Sequence, residues 1–117
     1  MEREIVLPVP PGEVWRALTD PGRLGAWFGA NVELDPRPGG HGRFRFPDGS
    51  ERAMMVEESD RPRRFAFRWA PFRRRPDGSA EPTEPTRVAF ELEEDHGGTR
   101  LTVTETVVEA SPAGARP

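Results

Sequence analysis

At 117 residues the chain is one domain by size, and no apolar run approaches the ~20 residues that span a bilayer, so a membrane-crossing helix is excluded. Three Trp and seven Phe supply core material although only 34% of residues are hydrophobic, which excludes full disorder; the absence of Cys excludes disulfides and thiolate chemistry. A net charge of -3, with every basic side chain an Arg, argues against general nucleic-acid or membrane-surface binding, and the opening MEREIVLPVPPGEVW has no secretory h-region, so a cytoplasmic protein is expected.

The apolar run over 5–9 reads as a short strand that stops at Pro10-Pro11. A helix follows over 11–19, with Val14 and Leu18 four apart and Trp15 beside them. Asp20-Pro21 combines a good N-cap with a good first helical residue. A second helix therefore starts there, carries Leu24, Trp27 and Phe28 on one face, and ends at Gly29. Beyond it the period becomes two. Strands are expected over 31–35, 42–46, 51–58 and 64–69, with turns at Pro38-Gly39-Gly40 and Pro47-Asp48-Gly49. Residues 70–86, rich in Pro and charge, read as a long loop. Strands over 87–93 and 99–107 close the chain through a hairpin turn at 95–98, and a tail over 111–117 frays. Strand, two helices and six more antiparallel strands define an α+β domain over 1–110.

Several segments, in order, resemble one family. VPPGEVWRALTDPGRLGAWFG is similar to its helical opening, PGGHGRFRFPDGS to its Gly-Gly turn and hairpin, ESDRPRRFAFRW to a strand ending in Trp, and GGTRLTVTET to its last strand. The family is that of the activator of heat-shock protein 90 ATPase, within the START-like (SRPBCC) superfamily. The resemblance implies a helix-grip fold, shared with birch-pollen-allergen-like domains, in which a curved seven-stranded antiparallel sheet wraps a hydrophobic cavity. It also implies a long C-terminal helix, which the Pro- and Gly-containing end of this sequence does not support. The uncovered inner face is then expected to be closed by a second subunit, by the 70–86 loop or by ligand.

Alternation puts Phe44, Phe46, Phe65, Phe67, Trp69, Val88, Phe90, Leu92, Leu101 and Val103 on one inner wall. Together with Trp27 and Phe28, the wall residues Phe44, Phe46, Phe65, Phe67, Trp69, Phe90, Leu101 and Val103 are candidate ligand contacts; the alternative is a plain core. Glu105 shares the parity of Leu101 and Val103, so its carboxylate is the weak catalytic candidate, as general base or ligand-orienting group, unless it reaches solvent at the strand end. Arg45 and Arg68 face outward by the same parity. His41 and His96 sit in Gly-rich turns and are read as surface residues, not metal ligands. The cluster Phe72-Arg73-Arg74-Arg75 is read as part of the solvated loop. No Ser elbow, triad or phosphate loop is present, and no cofactor or metal is expected. These readings favour a binding module over an enzyme. Its partner is a small hydrophobic molecule or a protein, with homodimerisation and a stress-related role implied. The alternatives are a polyketide cyclase or dehydratase-like enzyme, and a dimerisation module using the sheet itself.

Overall fold

The computed structural model of the chain describes residues 1–108, so the expected frayed tail over 111–117 lies outside the described residues. The elements run β1 (Glu2–Leu7), α1 (Pro11–Thr19), α2 (Pro21–Phe28), β2 (Asn31–Leu34), β3 (His41–Arg45), β4 (Glu51–Asp60), β5 (Arg64–Arg74), β6 (Ala80–Pro82), β7 (Thr86–Asp95) and β8 (Gly98–Val107).

Local chemistry sets the helix limits. Pro11 opens α1 where a missing N–H costs nothing, and Val14, Trp15 and Leu18 form its buried face. Asp20 ends α1 and caps α2, its Oδ2 accepting from Arg23 N–H at 3.0 Å. Gly29 closes α2 at φ 67°, a left-handed conformation that suits a residue without Cβ.

The strands form one antiparallel sheet in the order β1-β8-β7-β5-β4-β3-β2, with β6 paired to the far part of β5. Cross-strand partners fix which side chains share a face. Phe65 pairs with Phe90, Phe67 with Val88, Phe90 with Val103, and Leu92 with Leu101. The aromatic wall therefore lies on one side of the sheet. Phe44, Phe65, Phe67 and Leu101 have no exposed surface at all. An extra residue of β4 at Glu57, between the pairs Val56–Phe67 and Glu58–Ala66, makes a bulge that adds local twist.

Residues 70–86 depart from the expected loop. β5 continues to Arg74, turns through Pro76-Asp77-Gly78-Ser79 and returns as β6, which gives eight strands where seven were expected. Two features make this possible. Ala53 of β4 faces three residues of β5, because Met54 pairs with Trp69 but Arg52 with Arg73. Pro71 sits within that bulge, where its lack of an N–H is tolerated, and its carbonyl accepts from Thr83 N–H at 3.0 Å. The turn itself repeats the chemistry of Pro47-Asp48-Gly49-Ser50. In each, the Asp Oδ1 accepts from the Ser N–H at 2.8 Å and from the Ser hydroxyl at 2.6 Å.

The inner wall, expected to be closed by a second subunit, by the 70–86 loop or by ligand, carries rings of the two helices. Trp15 of α1 meets Phe65 edge-on at 5.8 Å, Phe28 of α2 meets Phe44 at 5.2 Å, and Trp27 lies 6.1 Å from Phe90. Among the described residues, the two short helices cover the wall themselves.

Candidate functional site

The candidate ligand contacts divide by exposure. Phe44, Phe65, Phe67, Trp69, Phe90 and Leu101 are packed core, offering a ligand almost no surface in this conformation. Phe46 and Val103 are partly buried against that core. Trp27 and Phe28 are the accessible pair, 48% and 37% exposed, although both rings touch the wall. The accessible part of this set therefore lies at the end of α2, and the buried wall lies beneath it.

Glu105 sits on this inner side, because it pairs with Val88, whose side chain faces the core. It is half-buried, and its position is held by main-chain bonds: its N–H donates to Met1 O at 2.8 Å, and its carbonyl accepts from the Met1 amino group at 2.9 Å.

A residue missed by the sequence reading lies beside Trp69 and Phe44. Arg52 pairs with Phe44 on β3 and shares the parity of buried Met54 and Val56, so it too points inward. Its guanidinium lies 4.3 Å from the centroid of the Trp69 ring, a cation–π arrangement. Phe28 approaches the same indole edge-on, with ring centroids 6.5 Å apart. Trp69 is thus packed against by both Arg52 and Phe28. Among the described residues Arg52 has no ion-pair partner, and its buried Nε has no hydrogen-bond acceptor. Burial pushes its pKa down, the Glu105 carboxylate pushes it up, and neighbouring Arg73 pushes it down again. An Arg guanidinium stays charged throughout the working pH range, so Arg52 is a half-buried cation without a bonded counter-charge.

Most other arginines of the sheet are engaged. On the outer face Arg68 Nε lies 2.8 Å from Glu57, and Arg87 Nε also lies 2.8 Å from that carboxylate. Arg45 lies 3.8 Å from Glu51 and 3.9 Å from Glu33. The expected basic loop cluster belongs to the β5–β6 hairpin instead. Arg73 pairs with Glu81 at 2.9 Å, and Arg74 donates to Gly78 O at 2.7 Å. His41 begins β3 at the surface, and the side chain of His96 is 97% exposed, 3.5 Å from Asp95. A surface depression of about 620 Å³ is open and lies between α2 and β3. Its one charged side chain is Arg45, already held by two carboxylates.

A curved antiparallel sheet carrying two short helices on its inner side is the helix-grip architecture of START-like (SRPBCC) domains. Within that class, residues 8–116 match the family described as Activator of Hsp90 ATPase homolog 1-like protein, and the chain belongs to it. No curated protein matches.

Solved structures extend the likeness. DynU16, a protein of the dynemicin biosynthetic locus, superposes with a TM-score of 0.76 at 25% identity over 97% of this chain and 39% of its own. CalU16 from Micromonospora echinospora gives 0.67 at 25% identity, over 92% of this chain and 60% of its own. MLL2253 from Mesorhizobium loti gives 0.79 at 20% identity, over 93% of this chain and 76% of its own. The chain thus spans well under half the length of DynU16.

Proposed function

We propose that this chain is a non-catalytic binding module that takes a small apolar ligand at the mouth formed by Trp27, Phe28, Phe46, Arg52, Trp69 and Glu105. The observation that carries the reading is the exposed pair Trp27 and Phe28 resting on a fully packed aromatic floor. Large apolar rings left half in water beside a buried platform favour a ligand that covers them. Membership of a helix-grip family supports the same use of the inner face.

Fluorescence titration with Nile red, a neutral apolar probe, tests this. Binding with one-to-one stoichiometry is expected. A Trp27→Ala/Phe28→Ala double variant should weaken it roughly tenfold or more, since each fully covered ring contributes on the order of 1.5–3 kcal/mol. Unchanged binding in a folded double variant would move the site elsewhere. Native mass spectrometry of freshly purified protein reports any co-purified ligand and, in the same spectrum, tests the homodimer.

A cyclase- or dehydratase-type catalyst is the second reading, favoured by one observation: a carboxylate and a guanidinium share the inner face. Under it, Glu105→Gln abolishes turnover and leaves probe binding intact.

A further inference from the structure

Arg52 and Arg68 are the two strand arginines whose buried Nε lacks a bonded acceptor among the described residues, but Arg68 keeps the Glu57 carboxylate at 2.8 Å whereas Arg52 has no ion pair. Burying a cation is costly unless it is paired and hydrogen-bonded, and an orphaned buried donor loses its water without replacement. Yet the Arg52 Nε is buried with no acceptor, and no carboxylate of the described residues is bonded to the guanidinium. Trp69 holds one face of that plane at 4.3 Å, which orients the fork but satisfies none of its N–H donors. Nearby charges do not fill the gap. Arg73, directly opposite on β5, is committed to Glu81 at 2.9 Å. Glu105 acts on Arg52 through space, without an ion pair between them.

We propose that Arg52 is an anion anchor, and that the ligand of this mouth is an amphipathic monoanion whose carboxylate sits on the free edge of its guanidinium. The inference rests on the binding reading above and adds the ligand's chemical class. The apolar body lies against Phe28, Trp27 and Phe46, and the head reaches the guanidinium beside Trp69. A single charge fits better than a phosphate dianion, because one guanidinium is unpaired and Glu105 already contributes negative charge to the same face. Arg presents planar, paired donors that match a carboxylate, and stacking on Trp69 fixes their direction before the ligand arrives. This pre-organisation limits the ordering cost of binding.

The test compares matched acids and alcohols on the wild-type protein: benzoate with benzyl alcohol, 2-naphthoate with 2-naphthalenemethanol, and dodecanoate with dodecanol. Two-dimensional NMR follows the Arg52 Nε–H and Trp69 indole resonances during each titration. At least one acid is expected to bind tenfold or more tightly than its alcohol, moving the Arg52 signal, and the preference should shrink as salt is raised. Within Arg52→Gln the acid and its matched alcohol should bind equally, whatever the absolute affinity, and Arg52→Lys should restore only part of the preference because the fork is lost. Phenyl phosphate is expected to bind no better than benzoate. Should acid and alcohol bind equally at the mouth, the anion anchor fails while the binding module stands. Should no member of the panel bind there, the binding module itself fails and the anchor with it. Because the acid–alcohol comparison needs no substitution, it decides the matter even if Arg52→Gln does not fold.

Discussion

Replacing Phe67 by Ala decides whether the inner wall is core or cavity lining. Phe67 has no exposed surface, and its ring lies 5.1 Å from that of Trp69, 6.3 Å from those of Phe65 and Phe90, and 6.4 Å from that of Phe44. Removing a ring packed on all sides costs its transfer energy plus the cavity left behind, about 3–5 kcal/mol. A domain of this size has a total stability of about 5–15 kcal/mol, so the loss is a large fraction of the whole. At about 4 °C per kcal/mol, Tm falls by roughly 12–20 °C. Urea unfolding followed by Trp fluorescence should show a lower midpoint with an unchanged slope, the mark of an altered stability and an intact fold. The paired change Trp27→Ala removes a half-exposed ring and should cost no more than about 1–2 kcal/mol, well below the Phe67 value. If Phe67→Ala cost under about 1 kcal/mol, the wall would be loosely packed around an open space, and the division into floor and mouth would be wrong.

Two further predictions concern the turns. Asp35 is held well below its ordinary pKa, down to about 2, chiefly by the Arg37 side-chain hydrogen bond; Asp48 and Asp77 are lowered chiefly by the hydroxyls of Ser50 and Ser79. A carboxylate whose folded pKa is depressed stabilises the fold above its unfolded pKa, and that stability is lost as pH falls through the folded value. Stability measured by urea unfolding should therefore decline between about pH 4 and pH 2, with a shallower decline in Asp35→Asn; a flat profile in the wild type would contradict the hydrogen-bond assignment. At Gly40, an added Cβ would meet the main-chain oxygens of Asp35 and Arg37. Gly40→Ala should cost about 1–3 kcal/mol by overpacking, whereas Gly12→Ala, with open space around it on α1, should be neutral or stabilising in the same thermal melt.

The helices were legible because their signals are short-range. Pro11, Asp20-Pro21 and Gly29 each act through bonds within four residues of themselves, so α1 and α2 fall where the sequence places them. The β5–β6 hairpin was missed for the opposite reason. Its continuation depends on a bulge opposite Ala53, a pairing made with a residue seventeen or more positions away, and no local pattern encodes it. One signal was nevertheless present: residues 76–79 repeat the Pro-Asp-Gly-Ser of residues 47–50, and the second copy makes the same Asp–Ser bonds as the first. The Pro-rich composition around it masked a turn whose chemistry is specific.

The site was legible in its apolar part and not in its charged part. Alternation sufficed to gather Phe67, Phe90 and Val103 on one face, since each strand's parity is set by its own large apolar side chains. Parity alone gives no depth, which is why fully buried Phe65 and half-exposed Phe28 read alike in sequence. Depth comes from α2 folding back onto β3 and β5, a tertiary choice. Arg52 stood in the same register as Met54 and Val56, and the parity argument that singled out Glu105 applied to it equally. It was passed over because an Arg in a strand is ordinarily the solvated partner of a carboxylate, as Arg45, Arg68 and Arg87 are here. Charge type therefore misled where geometry did not: a cation at an inward position needs either a protein counter-charge or an external one, and the described residues bond it to no protein one.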